Sequence, residues 1–378
     1  MRKLNLCFLI VALVSLVACR TDEIVIPMEV VDGLAPIENT AIKGFYVLNE
    51  GNMGSNKCTL DFFDYTKGTY YRNIYAEINP NVLKELGDVG NDIKIYGSKL
   101  YIVVNVSNTI EVLDAKTAKR IKSIHLQNCR YLTFNNGKAY ASSYVGPVDI
   151  NPNAPKGKVV EIDTTSLAIQ REVTVGYQPE EMEIVGNQLF VANSGGYMVP
   201  NYDRTVSVID LNNFTETKKL DVAINLHRLK KDNYGDLYVS SRGDYYNIPS
   251  NLYLIDAATG AIKKNFHIAV NEMTIVNDKL YFYGNEFNYN THEYKKTFGI
   301  IDVKTEQIIS NRIVDPNYEA IIKTPYGIAV NPITEDIYIT DARNYVSMGF
   351  VYCFDKNGHF KWKTEGGNIP AHFAFLYK

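Results

Sequence analysis

One residue of this chain stands in a setting that dictates its chemistry. Cys19 closes the run Leu16-Val17-Ala18-Cys19, behind the basic pair Arg2 and Lys3 and an apolar stretch from Leu4 to Val17. That stretch is short for a bilayer span. A basic flank, a short apolar run and a small residue before cysteine predict a cleaved signal over residues 1–18, with Cys19 acylated as the new N-terminus. Each buried CH₂ contributes only about 0.8 kcal/mol, so firm anchoring needs the two or three chains such a cysteine can carry. Elsewhere the sequence has no Gly-x-Ser-x-Gly, no His-Glu-x-x-His, no glycine-rich phosphate loop and no calcium-loop spacing. Its six histidines are scattered. Cys58, Cys129 and Cys353 are odd in number and irregular in spacing, unlike a disulfide framework or a metal site. No catalytic residue, metal ion or cofactor is therefore expected.

A second set of candidates is defined by what surrounds it, a repeat. Lys99-Leu-Tyr-Ile-Val recurs as Lys138-Ala-Tyr-Ala-Ser, Gln188-Leu-Phe-Val-Ala, Asp236-Leu-Tyr-Val-Ser, Lys279-Leu-Tyr-Phe-Tyr and Asp336-Ile-Tyr-Ile-Thr, with Gly44-Phe-Tyr-Val-Leu as the first copy. Each copy is followed by a strand ending in aspartate: Asp64, Asp114, Asp163, Asp210, Asp256, Asp302 and Asp355. The spacing, roughly 46 to 53 residues, is the length of a propeller blade. Short strands rich in Val, Ile and Tyr, punctuated by Gly, Asn and Asp, predict an all-β chain. Residues 43–378 are expected to form a seven-bladed β-propeller of four-stranded antiparallel blades. The first copy lacks an inner strand, and Pro370 to Leu376, which resembles Pro325 to Val330, is expected to complete it and close the ring. Residues 19–42, with Pro27, Gly33 and Pro36 and no period, read as a tether leaving the face opposite the long loops.

Residues that recur in every blade are packing. The aromatics Tyr46, Tyr101, Tyr140, Phe190, Tyr238, Tyr281 and Tyr338 belong between sheets, and the seven aspartates belong to turns whose backbone N–H groups they satisfy. Residues that break the repeat are free to bind. Loops of about 49–57, 142–158, 193–205, 240–251, 283–297 and 340–349 are long and mix Tyr with Asn, Gly and Ser, the composition of a recognition surface. They supply the candidates Asn49, Tyr144, Asn193, Tyr197, Arg242, Tyr246, Asn285, Phe287, Arg343 and Tyr345. The inner strands open on the same face, adding Arg130, Tyr131 and Arg228, with Asp92, Glu181, His227, Glu272 and His372 completing a ring at the channel mouth. A net charge of −3 without basic clustering argues against nucleic acid.

With its Ala-Cys acylation motif, the basic-then-acidic Arg20-Thr21-Asp22-Glu23 and the Lys-Leu-Tyr-Val … Val-Ile-Asp blades, the chain resembles YncE-like propeller lipoproteins of Bacteroidetes. Within that group it is similar to the BtuG lipoproteins, which capture cobalamin (vitamin B12) and hand it to the TonB-dependent transporter BtuB. The resemblance implies a cell-surface lipoprotein of the outer membrane, with cobalamin or another corrinoid as ligand and a BtuB-like transporter as partner. The same loops suit a glycan or a protein partner, and Glu181, Glu272 and His227 leave room for a propeller lactonase or lyase.

Overall fold

The computed structural model describes residues 27–37, 40–82 and 85–378, and in it seven antiparallel sheets stand around a central channel. Cys19 and the preceding signal lie outside the described residues. Six blades are consecutive in the chain; the fourth, for example, runs Pro179–Val185, Gln188–Asn193, Thr205–Asp210 and Thr215–Asp221 from the channel outwards. The first is shared by the two ends. Pro370–Tyr377 pairs antiparallel with Ile42–Asn49, setting Phe375 opposite Phe45 and Ala374 opposite Tyr46. This closure covers the inner edge of Ile42–Asn49 and gives the first blade the inner strand that the sequence lacked there.

Packing follows the repeat. All seven recurring aromatics are at most 3% exposed, and Tyr46 reaches from blade one to donate its hydroxyl to the Ala115 carbonyl 2.8 Å away in blade two. The aspartates at the opposite ends of the strands accept from backbone N–H groups two or three residues on, as at Asp64–Thr66, Asp114–Thr117, Asp163–Ser166, Asp210–Asn212, Asp256–Thr259, Asp302–Thr305 and Asp355–Asn357. These are Asx turns: the carboxylate does the work of a backbone carbonyl in reversing the chain.

Two expectations change. The stretch read as a tether is partly structured: Glu29–Val31 adds a fifth strand to the first blade, with Glu29 opposite Arg72 and Val31 opposite Tyr70. An Arg72–Glu29 ion pair holds its upper end, while Leu34 and Ile37 donate to Gly68 and Tyr65 at the lower turn. The segment thus descends the outside of the blade, and Pro27 lies beside Met348 and Asn368 on the long-loop side, the reverse of the exit expected. The second change is in blade six, where the loop expected over 283–297 is a hairpin. Lys279–Asn288 and Glu293–Asp302 stay paired over ten residues each, and only 289–292 turn. Asn-rich composition hid strands whose ladder is complete.

Candidate ligand site at the channel mouth

The mouth is built by an irregularity in the inner strands. In six blades the ladder slips near the start of the inner strand, so two consecutive residues face one partner at Arg130–Tyr131, Glu180–Glu181, His227–Arg228 and Tyr326–Gly327; blade six is regular. A regular strand sends neighbours to opposite faces, whereas a bulge lets both approach the mouth. Hydroxyls on the second strands hold the bulges. Ser142 Oγ accepts from Tyr131 N (3.1 Å) and donates to the Glu180 carbonyl (2.9 Å), Ser240 Oγ accepts from Arg228 N (3.0 Å), and Thr340 Oγ1 accepts from Gly327 N (2.7 Å).

Above the bulges lies a cavity of about 330 Å³ walled by Arg130, Tyr131, Tyr197, His227, Arg228 and Arg242 of the expected residues, and by Glu50, Asn91 and Tyr326. Its centre of charge is Glu180, completely buried behind the wall. Arg130 approaches Glu180 at 3.1 Å and Arg242 at 3.0 Å, while the Tyr144 hydroxyl donates to the same carboxylate. Burial works against ionising Glu180, but the two guanidiniums outweigh it and lower its pKa. Arg130 lies 4.7 Å over the Tyr144 ring and Arg228 5.0 Å over Tyr131, so the cations are also held by aromatic faces. The carboxylates of these pairs sit outside the cavity wall and the guanidiniums within it, leaving a cationic, aromatic lining. A second cavity of about 270 Å³ adjoins it, sharing Met53, Asn105, Val106 and Val148. Val89 in the cavity wall and Val145 in the third-blade loop hold φ of 60° and 67°, a strained conformation for β-branched residues.

Tyr131 and Arg228 also form the partition to a channel cavity of about 190 Å³ below, with Asp92, Lys94, Glu181, Lys230, Glu272 and His372. The acids here are engaged. Asp92 accepts from Leu132 N in the next blade and Glu181 from Leu229 N, stapling blades together. Desolvation opposes the charge on Glu181, yet Lys230, Arg228 and Lys94 hold its pKa at about 2. His372 meets Glu50 at 3.0 Å, and His227, buried beside Arg228, Arg242 and Arg130, is pushed well below the usual histidine range.

The remaining expected residues are elsewhere. Asn49 and Asn193 are fully buried: Asn49 donates to Thr59 and accepts from Gly367 N, and Asn193 donates to Thr205 and Ser207. They brace loop bases, because the last residue of a second strand turns inward. Tyr144 lies beneath the wall, 2% exposed. Tyr246, 48% exposed, stacks on Tyr289 at 5.2 Å outside the cavity wall, Phe287 packs on Tyr294, and Asn285 N donates to Asn271 before the inner strand of blade six. Arg343 lies over Phe350, and Tyr345 meets the cavity only through Tyr326, ring to ring at 5.9 Å. Glu180, Glu50, Tyr326 and Asn91 were not singled out; the Pro179-Glu-Glu181 run was the available signal for the first.

Fold and site define a closed seven-bladed propeller with a cationic, tyrosine-lined mouth. The family model described as a domain of unknown function (DUF5074) matches residues 43–375, and the chain belongs to that family. No curated protein matches it. Solved structures similar to it include a quinonprotein alcohol dehydrogenase-like protein from Bacteroides thetaiotaomicron (16% identity, 89% of this chain and 79% of that one, TM-score 0.57). Hydrazine synthase from Kuenenia stuttgartiensis (16% identity, 71% and 77%, TM-score 0.55) and the computationally designed Ika8 protein (12% identity, 92% and 94%, TM-score 0.54) are others. At such identities the likeness shows the fold alone.

Proposed function

We propose that this protein is a surface lipoprotein that captures cobalamin or a related corrinoid at the propeller mouth and passes it to a TonB-dependent outer-membrane transporter of the BtuB type. The observation that carries the reading is the mouth lining, where Arg130, Arg228 and Arg242 and the rings of Tyr131 and Tyr197 meet in one cavity. Cobalamin is broad, amide-edged and carries a phosphodiester. Guanidinium edges, tyrosine faces and asparagine amides match those groups by type. One cavity of about 330 Å³ takes only a part of so large a ligand, and the neighbouring cavity and long loops offer surface for the rest.

Anchoring fits the same reading. Acylated Cys19 would be separated from Pro27 by residues 20–26, a reach of roughly 27 Å at about 3.4 Å per residue, and Pro27 stands at the loop-side rim. A membrane transporter is then within range of the mouth. Cys19→Ala should move the protein from the membrane pellet to the soluble fraction with unchanged ligand affinity; retention in the pellet after a salt wash would refute lipid anchoring. For the ligand, gel filtration of the soluble form after mixing with cyanocobalamin should carry visible corrin absorbance in the protein peak. Colourless protein would turn the reading to a glycan, which the exposed Tyr246–Tyr289 stack favours as a sugar platform.

A further inference from the structure

The three guanidiniums at the mouth are not equally occupied. Arg130 gives both Nε and Nη2 to Glu180, at 3.3 and 3.1 Å, and Arg242 gives Nε to Asn225 and Nη2 to Glu180. Arg228 is only 8% exposed and meets Glu272 through Nη2 at 2.6 Å, but its buried Nε has no hydrogen-bond partner among the described residues. Beside it in the bulge, His227 has a buried Nδ1 that is also without a partner. The Tyr131 hydroxyl lies 3.3 Å from His227 Nε2, and with that hydroxyl donating, the ring proton sits on Nδ1. In that tautomer two adjacent donors lie buried and unsatisfied on residues that wall the same cavity, an arrangement that is costly if it stays bare. The one carboxylate of the cavity wall among the described residues, Glu50, is already taken by Tyr326 (2.7 Å) and His372 (3.0 Å).

A donor-only, cationic corner calls for an acceptor that carries negative charge. We propose that His227 and Arg228 form a seat for an anionic phosphate ester of the ligand, with Arg228 Nε–H and His227 Nδ1–H donating to its oxygens. This rests on the mouth being the ligand site and adds which chemical group of the ligand enters it deepest. Tyr131 packs its ring 5.0 Å from the Arg228 guanidinium and Glu272 holds one end, so the side chain is fixed and little rotamer freedom is lost on binding. Phosphate is preferred to carboxylate because three guanidiniums converge on the cavity, and a tetrahedral group has an oxygen to offer in more directions than a planar one.

The test needs no corrinoid. Inorganic phosphate titrated into the isotope-labelled protein should shift the side-chain NMR signals of Arg228 Nε–H and the His227 ring along a saturating curve, with acetate at equal concentration producing a much smaller shift. Arg228→Lys keeps the charge facing Glu272 but removes the Nε donor, and should weaken phosphate by about tenfold or more. If that variant fails to fold, His227→Phe makes the same comparison. Unmoved signals, unaltered affinity in the variant, or acetate binding as strongly as phosphate would each overturn the seat. Saturable phosphate binding in a protein that ignores cyanocobalamin would keep the seat and discard the corrinoid.

Discussion

The two ends of the blades solve opposite problems with the same strands. At the lower end every blade uses one device, an aspartate that folds the turn onto itself, seven times over. At the upper end no two blades agree: the bulged positions are Asn91, Arg130–Tyr131, Glu180–Glu181, His227–Arg228, Tyr326–Gly327 and Ala371, and blade six has none. Identical residues at equivalent positions can only serve what all blades share, which is packing and closure. Divergent residues at equivalent positions, converging on one cavity, can serve a ligand that has no sevenfold symmetry. The comparison therefore separates stability from recognition along each strand, and it can be broken at either end.

The largest effect belongs to closure. Removing residues 369–378 takes the inner strand from blade one and uncovers Phe45, Val47 and their partners, so the truncated protein should aggregate or lose its cooperative melt. An unchanged thermal midpoint would contradict a ring closed by both ends. Next comes the shared packing. Tyr238→Ala, at a position 0% exposed, should cost about 3–5 kcal/mol in denaturant unfolding through the cavity it leaves, with ligand affinity of the folded fraction unchanged. A loss of affinity matching the loss of stability would mean that scaffold and site are not separable.

A smaller effect probes the channel beneath the mouth. Burial, aided by the neighbouring Glu181, raises the Glu183 pKa from 4.5 to about 7, against the pull of Lys230, Lys231 and Lys94. The folded chain then keeps a proton there that the unfolded chain releases between pH 4.5 and 7. The destabilisation from this group grows as pH rises through that window and is absent below it. Glu183→Gln should raise stability at pH 8 by on the order of 1–3 kcal/mol and leave it nearly unaltered at pH 4, as read by unfolding at both values. Equal effects at the two pH values would show that folding leaves the Glu183 pKa unshifted.

The lower end was legible in the sequence because it repeats. Seven aromatics and seven aspartates in register need no structure to be recognised as packing and turns, and the likeness of Pro370–Leu376 to Pro325–Val330 revealed the closing strand. The mouth was legible only in part. Tyr197 and Arg242 were found from loop position, Arg130, Tyr131 and Arg228 from the starts of the inner strands, and the five share one wall. Asn49 and Asn193 were misplaced by the same criterion, since a polar residue at a strand end looks identical in sequence whether it faces solvent or ties down its own loop. A bulge is a property of two strands in register and leaves no mark on either alone, so Glu180 could not be read, although His227 and Arg228 were both placed at the mouth. Glu29–Val31 was missed for a related reason: three residues carry no period, and their strand exists because the outer edge of blade one offers them a partner.

The central claim, that recognition is confined to the mouth cavity, is tested most directly by calorimetric titration of cyanocobalamin into two variants. Tyr197→Ala removes a ring from the cavity wall, and Tyr246→Ala removes one from an exposed loop outside it. The account predicts a loss of about 1–3 kcal/mol in binding for Tyr197→Ala, the range for an aromatic anchor in a desolvated centre, and under about 0.5 kcal/mol for Tyr246→Ala. Equal losses, a larger loss at Tyr246, or no heat from the unmutated protein would contradict it.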